Sequence, residues 1–138
     1  MIGLDTNVLA RYYIDDEADI EAQKQQTIAK NLIESGKKLM VCKTVLLEFE
    51  WVMRGFYQFS SADTQQVFQH LLSLPNIEIE DKNLFERAVS CLSEGIDFAD
   101  ALHHASYNQC ESMVTFDDKK FARRLNRLAL MPRVIVPK

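Results

Sequence analysis

The sequence predicts an α/β fold in three layers, α/β/α, with helices on both faces of a central, mostly parallel sheet of four to five strands. Two observations carry this expectation. Short apolar runs alternate with stretches of helical periodicity almost throughout the chain. At 138 residues and 47% hydrophobic content, the chain suits one domain, 1–138, with a substantial core, and no low-complexity tract or fixed-period repeat interrupts it.

The elements follow in order. Ile2 to Leu4 reads as a short buried strand, and Glu17 to Ser35 as a long helix closed by Gly36. LMVC, residues 39–42, is the next strand. Thr44 is placed to cap a helix through about Phe56, with Val45, Leu46, Phe49, Val52 and Met53 on its apolar side. The stretch SSADTQQVFQHLLSLP supplies a serine cap and a helix halted by Pro75. IEIE, residues 77–80, alternates as a half-buried strand does. A helix from about Lys82 to Glu94 ends at Gly95, and IDFADALHHASYNQC forms another whose cap is Asp97, making Asp100 its third residue. SMVTF is a strand, DDKKFARRLNRL a basic helix and RVIVP the last strand.

Composition narrows the function classes. No run approaches the roughly 18 apolar residues of a membrane span, and no basic and apolar leader precedes Ile2, so a cytoplasmic protein is expected. Cys42, Cys91 and Cys110 lack any C-x-x-C pairing and read as buried free thiols. A net charge of −4 argues against non-specific coating of nucleic acid, which Lys and Arg supply. It leaves a nuclease open, because a metal-dependent one concentrates acids at one point.

In parallel sheets, sites form at the carboxyl ends of strands. Asp5 ends the first strand and Asp117 follows SMVTF, so neighbouring strands would bring these carboxylates to one edge. Glu48 and Asp100 lie early in the helices that approach the same edge, and Glu50 competes with Glu48. An exposed face is less natural for Glu48, given its apolar neighbours. Two carboxylates about 4 Å apart repel by roughly 4 kcal/mol at an effective dielectric of about 20, so such a cluster needs protons or a cation. Hard oxygen donors select Mg²⁺ or Mn²⁺, which activates water and stabilises a leaving oxygen, chemistry suited to phosphodiester hydrolysis. Each acid also has a structural explanation. Asp5 can cap the turn after it, Asp97 the helix it precedes, Asp100 can complete a capping box, and Asp117 or Asp118 can serve the start of the basic helix.

Cations must guide a phosphodiester backbone to an acidic pocket. Lys120, Arg123 and Arg127 share a face at helical spacing, with Arg11 and Arg54 as further candidates, although a solvated helix face explains the basic run equally well. His103 and His104 as an acid–base pair would point about 100° apart on a helix, which disfavours a metal-free mechanism. His70 has no evident partner.

Together MIGLDTNVLARYY, TVLLEFEWVMRGFY, DFADALHHASYNQC and VTFDDKKFAR resemble the PIN-domain ribonucleases, specifically the VapC toxins of type II toxin-antitoxin pairs. The resemblance implies a Mg²⁺- or Mn²⁺-dependent endoribonuclease with Asp5, Glu48, Asp100 and Asp117 as catalytic and metal-binding acids and Asp97 as support. Asn7 and Thr115 match polar residues beside the first and last acids and take positioning or substrate-orienting roles. It also implies a homodimer, a VapB-like antitoxin lying in an apolar groove to which Trp51, Phe56 and Tyr57 contribute unless they are core, and DNA contact only through that antitoxin. Two alternatives stand beside it: a phosphatase of the haloacid dehalogenase type, in which Asn7 replaces the usual second Asp, and a catalytically silent PIN-like scaffold.

Overall fold

Three parallel strands organise the N-terminal part of the chain. In the computed structural model, which describes residues 1–138, β1 (Ile2–Gly3) pairs with β2 (Leu39–Val41), and β2 with β3 (Ile77–Ile79). The register sets Ile2 beside Leu39 and Leu39 beside Ile77. Leu39 and Val41 are fully buried and Ile77 and Ile79 nearly so, while Glu78 between them faces out, the period of two expected of a half-buried strand.

These strands belong to the first of two compact units, Met1–Lys82. Its helices are α1 (Thr6–Tyr13), α2 (Ile20–Ile33), α3 (Lys43–Trp51) and α4 (Ser61–Ser73). Asp19 caps α2 by accepting from the N–H groups of Glu21 and Ala22, and α4 opens with a reciprocal capping box between Ser60 and Asp63. Phe49 and Phe68 meet edge to face at 6.2 Å, and Leu9, Leu46, Met53 and Leu71 are fully buried with them. Each such side chain contributes about 1.5–3 kcal/mol by leaving water.

The second unit, Asn83–Lys138, takes in most of α5 (Lys82–Cys91), then α6 (Phe98–Ser106), β4 (Ser112–Val114), α7 (Arg123–Arg127) and β5 (Arg133–Ile135). Gly95, at φ +74°, ends the 3₁₀ turn after α5, a left-handed position that glycine adopts without strain. β4 and β5 pair in parallel, Ser112 beside Arg133 and Val114 beside Ile135. The Asn126 side chain holds β5 from one side: it accepts from Val134 N at 2.9 Å and donates to Val134 O at 2.8 Å. His104, fully buried, sits at 2.6 Å from Pro132 O through Nε2 and at 2.8 Å from Arg87 Nη2 through Nδ1, while Arg87 also donates to Met131 O. Neutral imidazole satisfies both contacts by donating from Nε2 and accepting at Nδ1.

The fold class is the expected one, an α/β chain of seven helices and five strands in which every pairing is parallel. The strands form a ladder of three and a ladder of two. Several local expectations are corrected. α1 arises directly from the first strand. Cys42, and not Thr44, is the cap position of α3, without a side-chain cap bond, because Thr44 instead contacts Cys42 Sγ at 3.3 Å. The helical stretch that begins with α3 does reach Phe56, but the segment after α3, Val52–Phe56, is π-helical, as is Asp118–Ala122 before α7. Trp51 and Phe56 are 60% and 71% exposed, so they are not core. Only Cys91 of the three thiols is buried. No helix is long and apolar enough to cross a membrane.

Candidate active site

In the first unit, Asp5 follows β1 and is the N-cap of α1, where Oδ1 accepts from Thr6 N at 2.8 Å. That bond fixes the carboxylate's orientation, and Oδ2 takes no protein donor. Asn7 is exposed in the first turn of α1. Thr6 between them is buried, and its Oγ1 has no hydrogen-bond partner. Sequence reasoning missed Thr6, because a threonine after a cap reads as an ordinary first-turn residue.

Glu48 and Glu50 separate cleanly. Glu50 is only 4% exposed and receives Arg54 Nε at 2.8 Å on Oε2 and Arg54 Nη2 at 3.3 Å on Oε1. Glu48 is exposed, without a protein partner. The expectation that apolar neighbours would draw Glu48 inward is overturned, since adjacent helical residues point about 100° apart. Arg54 pairs with Glu50. Arg11 donates through Nε to Gln25 Oε1 at 2.8 Å.

In the second unit, Asp97 caps α6 by accepting from Asp100 N at 3.2 Å, and Asp117 caps the π-helical turn by accepting from Lys120 N at 3.0 Å. The backbone N–H of Asp117 donates to Thr115 Oγ1 at 3.1 Å, so Thr115 positions the acid. Asp100 is half-buried, and its carboxyl titrates above its usual range, first through burial and then through the charges of Asp97 and Asp117, with His103 opposing. Asp118 is occupied elsewhere, paired with Arg123 at 2.8 Å. The π-helical turn displaces Lys120 from the regular spacing to Arg123, so the expected shared face holds only for Arg123 and Arg127. Arg127 is exposed, whereas Arg124 donates to Gly95 O.

The histidines fall on different faces of α6, with His104 buried and His103 exposed, which removes them as a joint acid–base pair. His70 does have a partner, Tyr13 Oη at 2.8 Å from its Nδ1. Burial, and then neighbouring Tyr12, push the Tyr13 hydroxyl well above its ordinary range, so it remains the donor.

The donor set suits a hard divalent cation. Asp97, Asp100 and Asp117 are all oxygen donors whose mutual repulsion already raises Asp100, and a cation would relieve it. No set of three or more His, Cys, Asp and Glu side chains stands close enough to enclose an ion unaided. Mg²⁺ does not require one, since it keeps several waters and uses one or two carboxylates with substrate phosphate.

The family model described as the PIN domain matches residues 2–126, a span that holds Asp5, Glu48, Asp97, Asp100 and Asp117. Comparison with curated proteins finds no match.

Proposed function

The chain belongs to the PIN-domain family, a nuclease fold whose members generally depend on divalent metal, and from that premise we propose that it is a Mg²⁺- or Mn²⁺-dependent endoribonuclease. The observation that carries the proposal is the grouping of Asp97, Asp100 and Asp117, in which Asp100 is raised by burial and then by the charges of the other two carboxylates. Asp5, Glu48, Asp100 and Asp117 are assigned as the catalytic acids, with Asp97 in support.

The bound ion would supply charge neutralisation at the phosphodiester and a more acidic water. The protein's own part is orientation. Asp5 is held by Thr6 N and Asp117 by Lys120 N, so each presents a carboxylate with one oxygen already fixed. Asn7 orients the substrate beside Asp5, and Thr115 supports Asp117 through its backbone. Lys120 and Arg127, both exposed, guide the RNA backbone, with Arg123 contributing when released from Asp118.

We further propose that the protein acts in the cytoplasm as the toxin of a type II toxin-antitoxin pair, a VapC-like homodimer restrained by a VapB-like antitoxin and touching DNA only through it. Trp51 and Phe56, left exposed on the first unit, support a partner that covers them.

The test is cleavage of single-stranded and structured RNAs by antitoxin-free protein in Mg²⁺, Mn²⁺ and EDTA, beside Asp5→Asn. Metal-dependent cutting that disappears in the variant is expected. Rapid turnover of a generic phosphomonoester that depends on Asp5 would instead favour a phosphatase. A folded protein that cuts no RNA under any of these conditions would favour a silent scaffold.

A further inference from the structure

A small cleft opens between α1 and α2, and Asn7 at its rim lies two residues beyond Asp5. Its volume is about 220 Å³. Sites for drug-sized ligands run about 300–1,000 Å³, so this one admits a single ring system and excludes a run of nucleotides or a helix. Helical spacing builds it. Asn7 and Arg11 are one turn apart on α1, with Val8 between them, and Gln25, Ile28 and Ala29 form one stripe on α2.

The cleft divides by chemistry. Val8 and Ala29 make an apolar floor, and Ile28, 67% exposed, is an uncovered aliphatic lip. Asn7, Gln25 and Arg11 make a polar rim. Arg11 Nε donates to Gln25 Oε1 at 2.8 Å, and Gln25 Nε2 reaches Glu21 Oε1 at 3.5 Å, which sets the orientation of the Gln25 amide. The Nη groups of Arg11 and the Asn7 amide hold no protein partner. Donors and acceptors are thus presented at the edge of an apolar slot.

We propose that this cleft is a nucleobase subsite that takes one unstacked RNA base beside the phosphodiester addressed by Asp5. The base face packs on Val8, Ala29 and Ile28, and its edge is read by Asn7, Gln25 and Arg11. Asn, Gln and Arg present the forked donors and acceptors that match base edges, and a guanidinium plane also stacks on bases. A phosphate fits poorly, because the floor is apolar and Glu21 stands by the rim. The biological meaning of the subsite rests on the endoribonuclease reading, whereas binding of a base does not.

The test is an NMR titration of labelled, metal-free protein in EDTA with the 5′-monophosphates of adenosine, cytidine, guanosine and uridine, and with ribose 5-phosphate. Saturable shifts are expected at the Asn7 and Gln25 side-chain amides and the Ile28 methyl groups. The best base should bind about tenfold tighter than the weakest, and ribose 5-phosphate should be silent. Gln25→Leu, at an exposed position, should reduce that ratio toward one, and Ile28→Ala should weaken all four bases alike. Absence of saturable shifts, equal shifts from ribose 5-phosphate, or an unchanged base ratio in Gln25→Leu overturns the subsite. RNA cleavage in Mg²⁺ by the same protein separates the two conclusions. Cutting without base binding removes the subsite alone, whereas base binding without cutting keeps the subsite and counts against the nuclease.

Discussion

Glu48 and Glu50 lie two residues apart on α3, and exchanging each for glutamine tests which of them serves chemistry and which serves the fold. Glu50 is buried and bound at both oxygens by Arg54, whose side chain is 53% exposed. Glu50→Gln keeps shape and one acceptor but lowers a charge-assisted pair to a neutral hydrogen bond. Hydrogen bonds to charged groups are worth about 1.5–3 kcal/mol and neutral ones about 1 kcal/mol. Because Arg54 is half in solvent and stays hydrated after the change, the loss falls toward the lower end, about 1–2 kcal/mol. For a chain of this size that lowers the melting temperature by about 3–8 °C. Glu48 is exposed and holds no protein partner, so Glu48→Gln should leave the melting temperature within about 2 °C. Cleavage assayed well below both midpoints should show the reverse order: near wild type for Glu50→Gln and at least about a hundredfold lower for Glu48→Gln. Loss of cleavage in Glu50→Gln at an unchanged midpoint would refute the assignment and make Glu50 the acid.

Three further outcomes follow from the same geometry. Asp100 titrates above its usual value of 3.8, so its contribution to stability is full below that value and is lost as pH rises through its folded value. At neutral pH, Asp100→Asn should therefore raise the melting temperature in EDTA while abolishing cleavage, and Mg²⁺ should stabilise the wild type more than the variant in calorimetry. His104 is depressed below 6.5 by burial, with the Arg87 charge acting the same way and its bond to Pro132 O opposing. Its contribution is present above that value and lost as pH falls through the folded value, so melting curves between pH 7 and 5 should slope downward and flatten in His104→Gln, which should cost about 2–3 kcal/mol at pH 7 through two altered hydrogen bonds. Lys120→Ala and Arg127→Ala should each weaken single-stranded RNA binding regardless of sequence and reduce the slope of log K against log salt by about 0.7, as fluorescence anisotropy would show.

Most elements were legible because their signals are local. Pro75 after α4, Gly95 after the turn that follows α5, and the Ser60 capping box all act within a few residues of where they stand. α1 was not. TNVLARYY carries no acid in its first turn, and β-branched and aromatic residues give it weak intrinsic propensity, so its helix depends on packing against α2 and on the Asp5 cap. The exposure of Glu48, Trp51 and Phe56 was hidden for a related reason. Apolar character marks what a face can bury, not what covers it, and Phe56 lies in the π-helical turn Val52–Phe56, which departs from the period that the sequence suggests. Among the acids, residue type and position at strand ends were readable. Which carboxylate was already tied to an arginine was not, since Glu50–Arg54 looks like any helical charge pair four apart, and Asp118–Arg123, five apart, meets only across the π-helical turn.

Capping does not exclude a chemical role for these acids. Asp5, Asp97 and Asp117 are each the N-cap of a helical segment, and each accepts a backbone N–H through one carboxylate oxygen. A cap uses a side chain's acceptor, and a carboxylate has two oxygens with several lone-pair directions. At Asp5 and Asp117 the second oxygen meets no protein donor, so the cap holds the group still without consuming it. The junction from strand to helix therefore does two things with one residue: it starts a helix, and it sets a carboxylate in a fixed orientation at the edge of a parallel sheet. Asn at Asp5 preserves the cap nearly as well as Asp, because both are strong N-caps. Loss of cleavage in Asp5→Asn with the melting temperature unchanged would thus isolate the second role from the first, while a matched fall in both would return Asp5 to the fold alone.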